Sequence, residues 1–139
     1  MRTKAAVIAV VLTAALAVGA VGALAADSKT SAKTVKVTLK EWTVTPSVKR
    51  VPAGAVTFVV TNKGKLGHEL VVIKTNKAPK ALPMNGSQAS EAGLMGEIEE
   101  FLPGQTRRLV VKLAPGRYVL LCNLPGHYRA GQYAALRVG

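Results

Sequence analysis

From Thr34 onward the chain alternates. Val35, Val37 and Leu39 are interleaved with Lys36, Thr38 and Lys40, the period of two expected where one face of a strand is buried and the other is wet. Pro46 and the Pro52-Ala-Gly54 turn interrupt this pattern. Ala55 to Thr61 is apolar and β-branched, as in a buried strand, and Asn62-Lys-Gly64 turns it. Glu69 to Thr75, through Leu70-Val-Val-Ile73, predicts the next strand. A polar stretch follows from Asn76 to about Gly96, with Pro79, Pro83 and Asn85-Gly-Ser-Gln, and a single helical turn is expected over Ser90–Met95. Glu97 to Phe101 alternates again, and Pro103-Gly104 turns. Thr106 to Leu113 reads as a strand, Ala114-Pro-Gly116 as a turn and Arg117 to Cys122 as another strand. After the loop Asn123 to Gly131, the segment Tyr133–Val138 closes the chain. No helical period is sustained. Seven to eight short strands separated by Gly/Pro turns predict an all-β fold, an antiparallel β-sandwich of Greek-key connectivity.

The first residues stand apart from this pattern. Met1-Arg-Thr-Lys4 is basic, Ala5 to Gly22 carries no charge, and Ala23-Leu24-Ala25 fits a small-x-small cleavage site. Residues 1–25 therefore read as a secretory signal peptide. The run 5–26 is also long enough to span a bilayer as an N-terminal anchor. Residues 26–34 are expected to be a flexible lead-in and 35–139 the domain. The 139 residues leave room for one domain and no more. Export to the periplasm or another extracytoplasmic space changes the meaning of the charge. The leader holds two of the 19 basic and none of the seven acidic residues, so the remainder stays strongly cationic. Nucleic acid is the first partner such a charge suggests; export argues against it. An anionic membrane surface or an acidic protein remains.

Chemistry is concentrated in very few residues. The chain has one cysteine, Cys122, and two histidines, His68 and His127. An exported chain with one cysteine has no internal disulfide, so that thiol is buried, paired with another chain or bound to metal. His127 follows Cys122 by five residues in Cys122-Asn-Leu-Pro-Gly-His127, and His68 stands upstream at the start of a strand. Two imidazoles and one thiolate form the trigonal set that blue copper sites use. Singly, each has a blander reading: a buried cysteine is a small hydrophobe, and a lone histidine is a surface or capping residue. A Cys–His nucleophile pair is the other chemical option, but no third residue is evident to orient it.

Gly67-His-Glu-Leu70 and Cys122-Asn-Leu-Pro-Gly-His-Tyr-Arg-Ala-Gly131 resemble the two copper motifs of cupredoxins, most of all small bacterial plastocyanin/azurin-type and sulfocyanin-like domains. Lys40-Glu-Trp-Thr-Val44, Val51-Pro-Ala-Gly54, Val56-Thr-Phe-Val-Val-Thr-Asn62 and Pro115-Gly-Arg-Tyr118 extend the resemblance over residues 35–138. It implies one type 1 copper ion held by His68, Cys122 and His127, and a protein that shuttles one electron without transforming a substrate. The family usually carries methionine five residues after the second histidine. Here that position is Gln132, which some plant cupredoxins use through its amide oxygen. Met84 and Met95 are weaker substitutes. The Gly67 carbonyl is a further candidate on the opposite side of the metal. Around the ligands, Asn62 and Asn123 are expected to hydrogen-bond the sulfur or brace a loop, and Glu69 to tie the two ligand loops together. Leu66, Leu124, Pro125 and Tyr128, followed by Ala130, predict an apolar patch around His127, rimmed by Lys63, Lys65 and Arg129. That face suits an acidic redox partner met by a monomer. The rival function is a copper-sequestering or copper-delivery protein. A domain that has lost its copper is disfavoured by the intact ligand set.

Overall fold

The computed structural model describes residues 33–139. The leader and all but the end of the lead-in lie outside the described residues. Eleven strands follow one another: β1 (Lys33–Lys40), β2 (Thr43–Pro46), β3 (Arg50–Val51), β4 (Gly54–Asn62), β5 (His68–Lys74), β6 (Met84–Asn85), β7 (Gln88–Ala89), β8 (Leu94–Phe101), β9 (Thr106–Leu113), β10 (Gly116–Leu121) and β11 (Tyr133–Val138). Three of them, β3, β6 and β7, are two-residue pairings; of the eight longer strands, seven match the sequence reading, and β2, which ends at Pro46 where only a break was expected, is the exception. β1 begins at Lys33 and takes in the end of the lead-in. Among the described residues, no helix is long and apolar enough to cross a membrane.

Two sheets form the sandwich, one in the order β2-β1-β4-β9 and the other β3-β11-β10-β5-β8. The chain passes between them from β2 to β3, from β3 to β4, from β4 to β5, from β8 to β9 and from β9 to β10. The alternating residues of β1 and β4 explain the first sheet: Val35, Val37, Leu39, Val56, Phe58 and Val60 point inward and are buried. They meet Leu70, Val72, Tyr118, Leu120 and Leu136 from the second sheet.

The second sheet is buried on both faces. In β5 and β10 the odd and even residues divide: Leu70, Val72, Tyr118 and Leu120 enter the main core, whereas Val71, Ile73, Val119 and Leu121 pack outward against Leu82, Ala89 and Tyr128. The long polar stretch supplies this cover. It folds into a 3-10 turn (Pro79–Ala81) and the β6–β7 hairpin, and lays Leu82 and Ala89 on the sheet. No helical turn forms at Ser90–Met95. The chain turns at Ala92-Gly93, with Leu94 N–H bonded to Glu91 O, and Leu94 and Met95 already belong to β8. Pairing with β5 draws those residues into the sheet, and a strand partner outweighs a weak local preference.

Candidate metal centre

Three segments meet at one end of the sandwich. His68 is the first residue of β5 and pairs with Phe101 of β8. A bulge between His68 and Leu70 shifts the register there, and such bulges re-aim a side chain. Cys122 directly follows β10 and continues its inward face after Tyr118 and Leu120; both it and His68 are fully buried. The loop from Cys122 to Gln132 is closed at its base by Cys122 N–H on Gln132 O, 3.0 Å. Inside it, Gly126 and Gly131 take φ of 84° and 106°, a region that favours glycine, and this folds His127 back over the cysteine. Cys122 Sγ lies 3.3 Å from His127 Nδ1 and 3.8 Å from His68 Nδ1.

The surrounding groups set the imidazole of His68. Its Nε2–H donates to Glu41 Oε1 at 3.0 Å, which leaves the lone pair on Nδ1, the nitrogen that faces the sulfur. Glu41 is held in turn by Lys65 N–H, at 2.9 Å, and Leu66 N–H, at 2.8 Å. Those bonds, that from Leu66 first, hold its carboxyl down at about 2. The approach is close: a Cβ at Gly64 would stand 2.5 Å from Glu41 Oε1 and 2.8 Å from His68 Nε2. Burial pushes the Cys122 thiol up to about 11, opposed by the backbone N–H groups of Glu69 and Leu124. Burial, followed by the nearby His68, lowers the pKa of His127.

Gln132 lies on the same buried point. Its Nε2 is 3.0 Å from His68 Nδ1 and donates to Lys40 O at 3.2 Å. Its Oε1 is buried without a partner, alone in this among the described side chains. Met84, on the covering hairpin, and Met95, in β8, are in contrast exposed.

A family model of the cupredoxin-like domain matches residues 6–133. The chain belongs to that family. Among solved structures this cupredoxin is similar to reduced auracyanin from Roseiflexus castenholzii, at 20% identity over 78% of this chain and 98% of that one, with a TM-score of 0.59. It is also similar to rusticyanin from Thiobacillus ferrooxidans, at 20% identity over 78% and 79% and a TM-score of 0.52. Azurin from Methylomonas sp. strain J matches at 16% identity over 77% and 98%, with a TM-score of 0.53. At these identities the likeness is one of fold. No curated protein sequence matches the chain.

The donors of this cupredoxin fit one type 1 copper ion. His68, Cys122 and His127 offer donor atoms that all lie within 4.8 Å of one another. Donors at about 2.0–2.3 Å from a shared metal in a trigonal plane stand roughly 3.8 Å apart, close to the two sulfur–nitrogen separations here. The set is soft thiolate plus imidazole, the combination that selects copper in this geometry. Metal binding requires the thiolate, so it releases the Cys122 proton. The unpartnered Gln132 oxygen is the remaining polar atom with nothing to bind.

The residues around the ligands divide their work. The sulfur takes its backbone hydrogen bond from Glu69 N–H, 3.4 Å, and from neither asparagine side chain. Asn62 braces the His68 loop: Nδ2 donates to Leu66 O and Phe101 O, and Oδ1 accepts from Gly64 N–H. Asn123 braces the other loop through Ala89 N–H, Ala89 O and Glu91. Glu69 Oε1 accepts from Asn123 N–H at 3.0 Å and so joins β5 to the Cys122 loop. Gly67 sits half-buried beneath the Glu100 carboxylate, which occupies the place of a Cβ.

Tyr128 does not belong to the face around His127. It is 4% exposed, its hydroxyl donates to Pro79 O at 2.7 Å and accepts from Leu82 N–H at 2.9 Å, and it pins the covering segment to the copper loop. Its neighbour His127 is half-buried, and in the helix-like turns of the loop consecutive residues point in different directions, about 100° apart. Leu66, Pro125, Ala130, Lys63, Lys65 and Arg129 are exposed, and Leu124 is half-exposed. Trp42, 40% exposed, takes the place expected for Tyr128: its ring stands 4.8 Å from that of His127, edge to face. Sequence reasoning missed Glu41, Trp42 and Gly64. The signals available were the resemblance of Lys40-Glu-Trp-Thr-Val44 to the family and the turn that ends at Gly64, neither of which pointed at the metal.

Proposed function

We propose that this cupredoxin is an extracytoplasmic one-electron carrier that binds a single type 1 copper through His68, Cys122 and His127, with Gln132 as the axial ligand. The observation that carries the reading is the prebuilt donor set. His68 Nδ1 and His127 Nδ1 face one buried thiol, and His68 is fixed from behind by Glu41. The copper supplies a Cu(II)/Cu(I) couple. What the chain does is hold the donors still, through Asn62, Asn123, Glu69 and Glu41, so that little has to move when the charge changes. Gln132 supports the axial reading through its buried, unpartnered Oε1. A half-turn of the amide exchanges its oxygen and nitrogen and relieves that atom once a cation takes the place of the Nε2–H on His68.

His68 and Cys122 are sealed, and His127 is the ligand nearest to solvent. Electrons therefore pass through the edge of His127 and the Trp42 ring against it. The apolar ground there is Trp42, Leu66 and Pro125, and Lys63, Lys65 and Arg129 rim it, which suits an acidic redox partner that meets the protein as a monomer. A groove of about 700 Å³ borders β2 and β11, away from the His127 edge. The test is the visible spectrum of the Cu(II)-loaded protein. An intense sulfur-to-copper charge-transfer band is expected, and Cys122→Ser is expected to abolish it. A band unchanged in the variant overturns the ligand set. Copper released on reduction would instead indicate delivery, and association that ignores added salt would remove the acidic partner.

A further inference from the structure

The pole opposite the metal carries a surface that the copper chemistry does not use. Strand registers locate it. β1 runs parallel to β4, with Leu39 beside Asn62 at the metal end and Lys33 beside Val56 toward the other. At that far end Arg117 of β10, Arg137 of β11 and Arg50 of β3 are directly in register across adjacent strands. Directly opposed residues project from the same face of a sheet, about 4.8 Å apart from strand to strand, and all three side chains are exposed. Lys49 and Lys77, with Arg117 and Arg137, rim an open groove of about 700 Å³.

Like charges set opposite one another oppose folding, and nothing local offsets them. Among the described residues, the one close contact between a basic and an acidic side chain is that of His68 with Glu41, at the other end. Glu41, Glu69 and Glu91 bond to residues of the ligand loops. Glu97, Glu99 and Glu100 lie on β8, the edge of the five-stranded sheet opposite β3. A surface built of mutually repelling cations, kept clear of every acidic side chain described, fits an extended anion. The chain preceding Lys33 joins the domain at this same pole, and its residues 5–22 are apolar and uncharged.

We propose that this pole seats on an anionic membrane surface. Arg50, Arg117 and Arg137 take phospholipid phosphates, the groove beside them recesses a headgroup, and the metal end faces away. This is independent of the copper reading, but it leaves His127 and Trp42 open to a redox partner. Each basic side chain held at an anionic leaflet strengthens partitioning roughly fivefold, and the attraction fades over about 8 Å at physiological salt.

The test uses the full chain and vesicles of phosphatidylcholine alone or mixed with phosphatidylglycerol. The salt-sensitive gain in binding to the anionic vesicles is expected to fall on the order of 100-fold in the triple variant R50S/R117S/R137S, the product of three roughly fivefold losses. It is expected to fall far less in K63S/K65S/R129S, which removes the same charge from the metal end. Trp42 is the sole tryptophan and sits at the metal end, so brominated phosphatidylglycerol is expected to leave its fluorescence unquenched. Equal losses in the two triple variants would overturn the proposal in favour of diffuse net charge. Equal binding to neutral vesicles would assign attachment to the apolar N-terminal residues alone. Quenching of Trp42 would mean the wrong pole, and full competition by millimolar inorganic phosphate would reduce the surface to a small-anion site.

Discussion

Replacing Gln132 by methionine tests the copper centre at its point of departure from the family pattern. The side chain is fully buried, its Oε1 has no partner, and its Nε2 spans Lys40 O and His68 Nδ1. A buried acceptor left without a hydrogen bond costs about 1–3 kcal/mol. A metal ion that accepts the oxygen recovers that energy, and recovers more of it as Cu(II), the harder ion, than as Cu(I). With about 2 kcal/mol of difference between the two oxidation states, and about 1.4 kcal/mol for each tenfold change, the native glutamine favours Cu(II) by more than tenfold. A one-electron couple moves about 59 mV for each tenfold change. Gln132→Met is therefore expected to raise the reduction potential by on the order of 100 mV. The thioether is soft and weak, so the paramagnetic resonance spectrum is expected to move from rhombic toward axial symmetry. Voltammetry and resonance spectra of both proteins decide the matter. A shift below about 20 mV, a third of one tenfold step, with an unchanged spectrum would take Gln132 off the copper and leave its oxygen unexplained.

Gly64→Ala puts a Cβ 2.5 Å from Glu41 Oε1, so the carboxylate must leave His68; nitrogen NMR of the metal-free protein should show His68 losing its single Nε2–H tautomer, and the copper potential should rise as the negative charge withdraws. Tyr128→Phe strands the buried Leu82 N–H and should cost about 1–3 kcal/mol, read as a fall in Tm of about 4–8 °C for each kcal/mol in a domain of this size; an unchanged Tm would show that the covering segment does not depend on this strut. Glu41 is held at about 2 against an ordinary 4.5, so between those values the unfolded chain binds more protons and stability is lost as pH falls. Burial raises Glu69 to about 6, so its effect has the opposite sign and lies above pH 4.5. Thermal unfolding of the metal-free protein below pH 4.5 should therefore lose part of its pH dependence in Glu41→Gln.

β1, β4 and β9 of the first sheet were legible, β1 most plainly because one face is wet and one is dry and alternation records that difference directly, whereas the short edge strand β2 was read only as a break at Pro46. The continuous apolar runs of β5 and β10 announced burial on both faces without saying what covers the outer one. The cover comes from Leu82, Ala89 and Tyr128, scattered through segments with no periodic signal, and their docking is a tertiary event. The same docking turned Tyr128 from the expected surface residue into a strut. At the metal, Cys122 and His127 share one loop and the chain has only two histidines, so composition and spacing offered the donors and the resemblance to cupredoxins selected them. Glu41 stands 27 residues from His68, and the parallel pairing of β1 with β4 carries it to the imidazole Nε2–H. The exposure of Trp42 beside His127 and the solitary oxygen of Gln132 depend on the same packing. Charge behaved likewise. The formal +12 belongs to the sequence, but stacking Arg50, Arg117 and Arg137 side by side required the register of three strands brought together from distant parts of the chain.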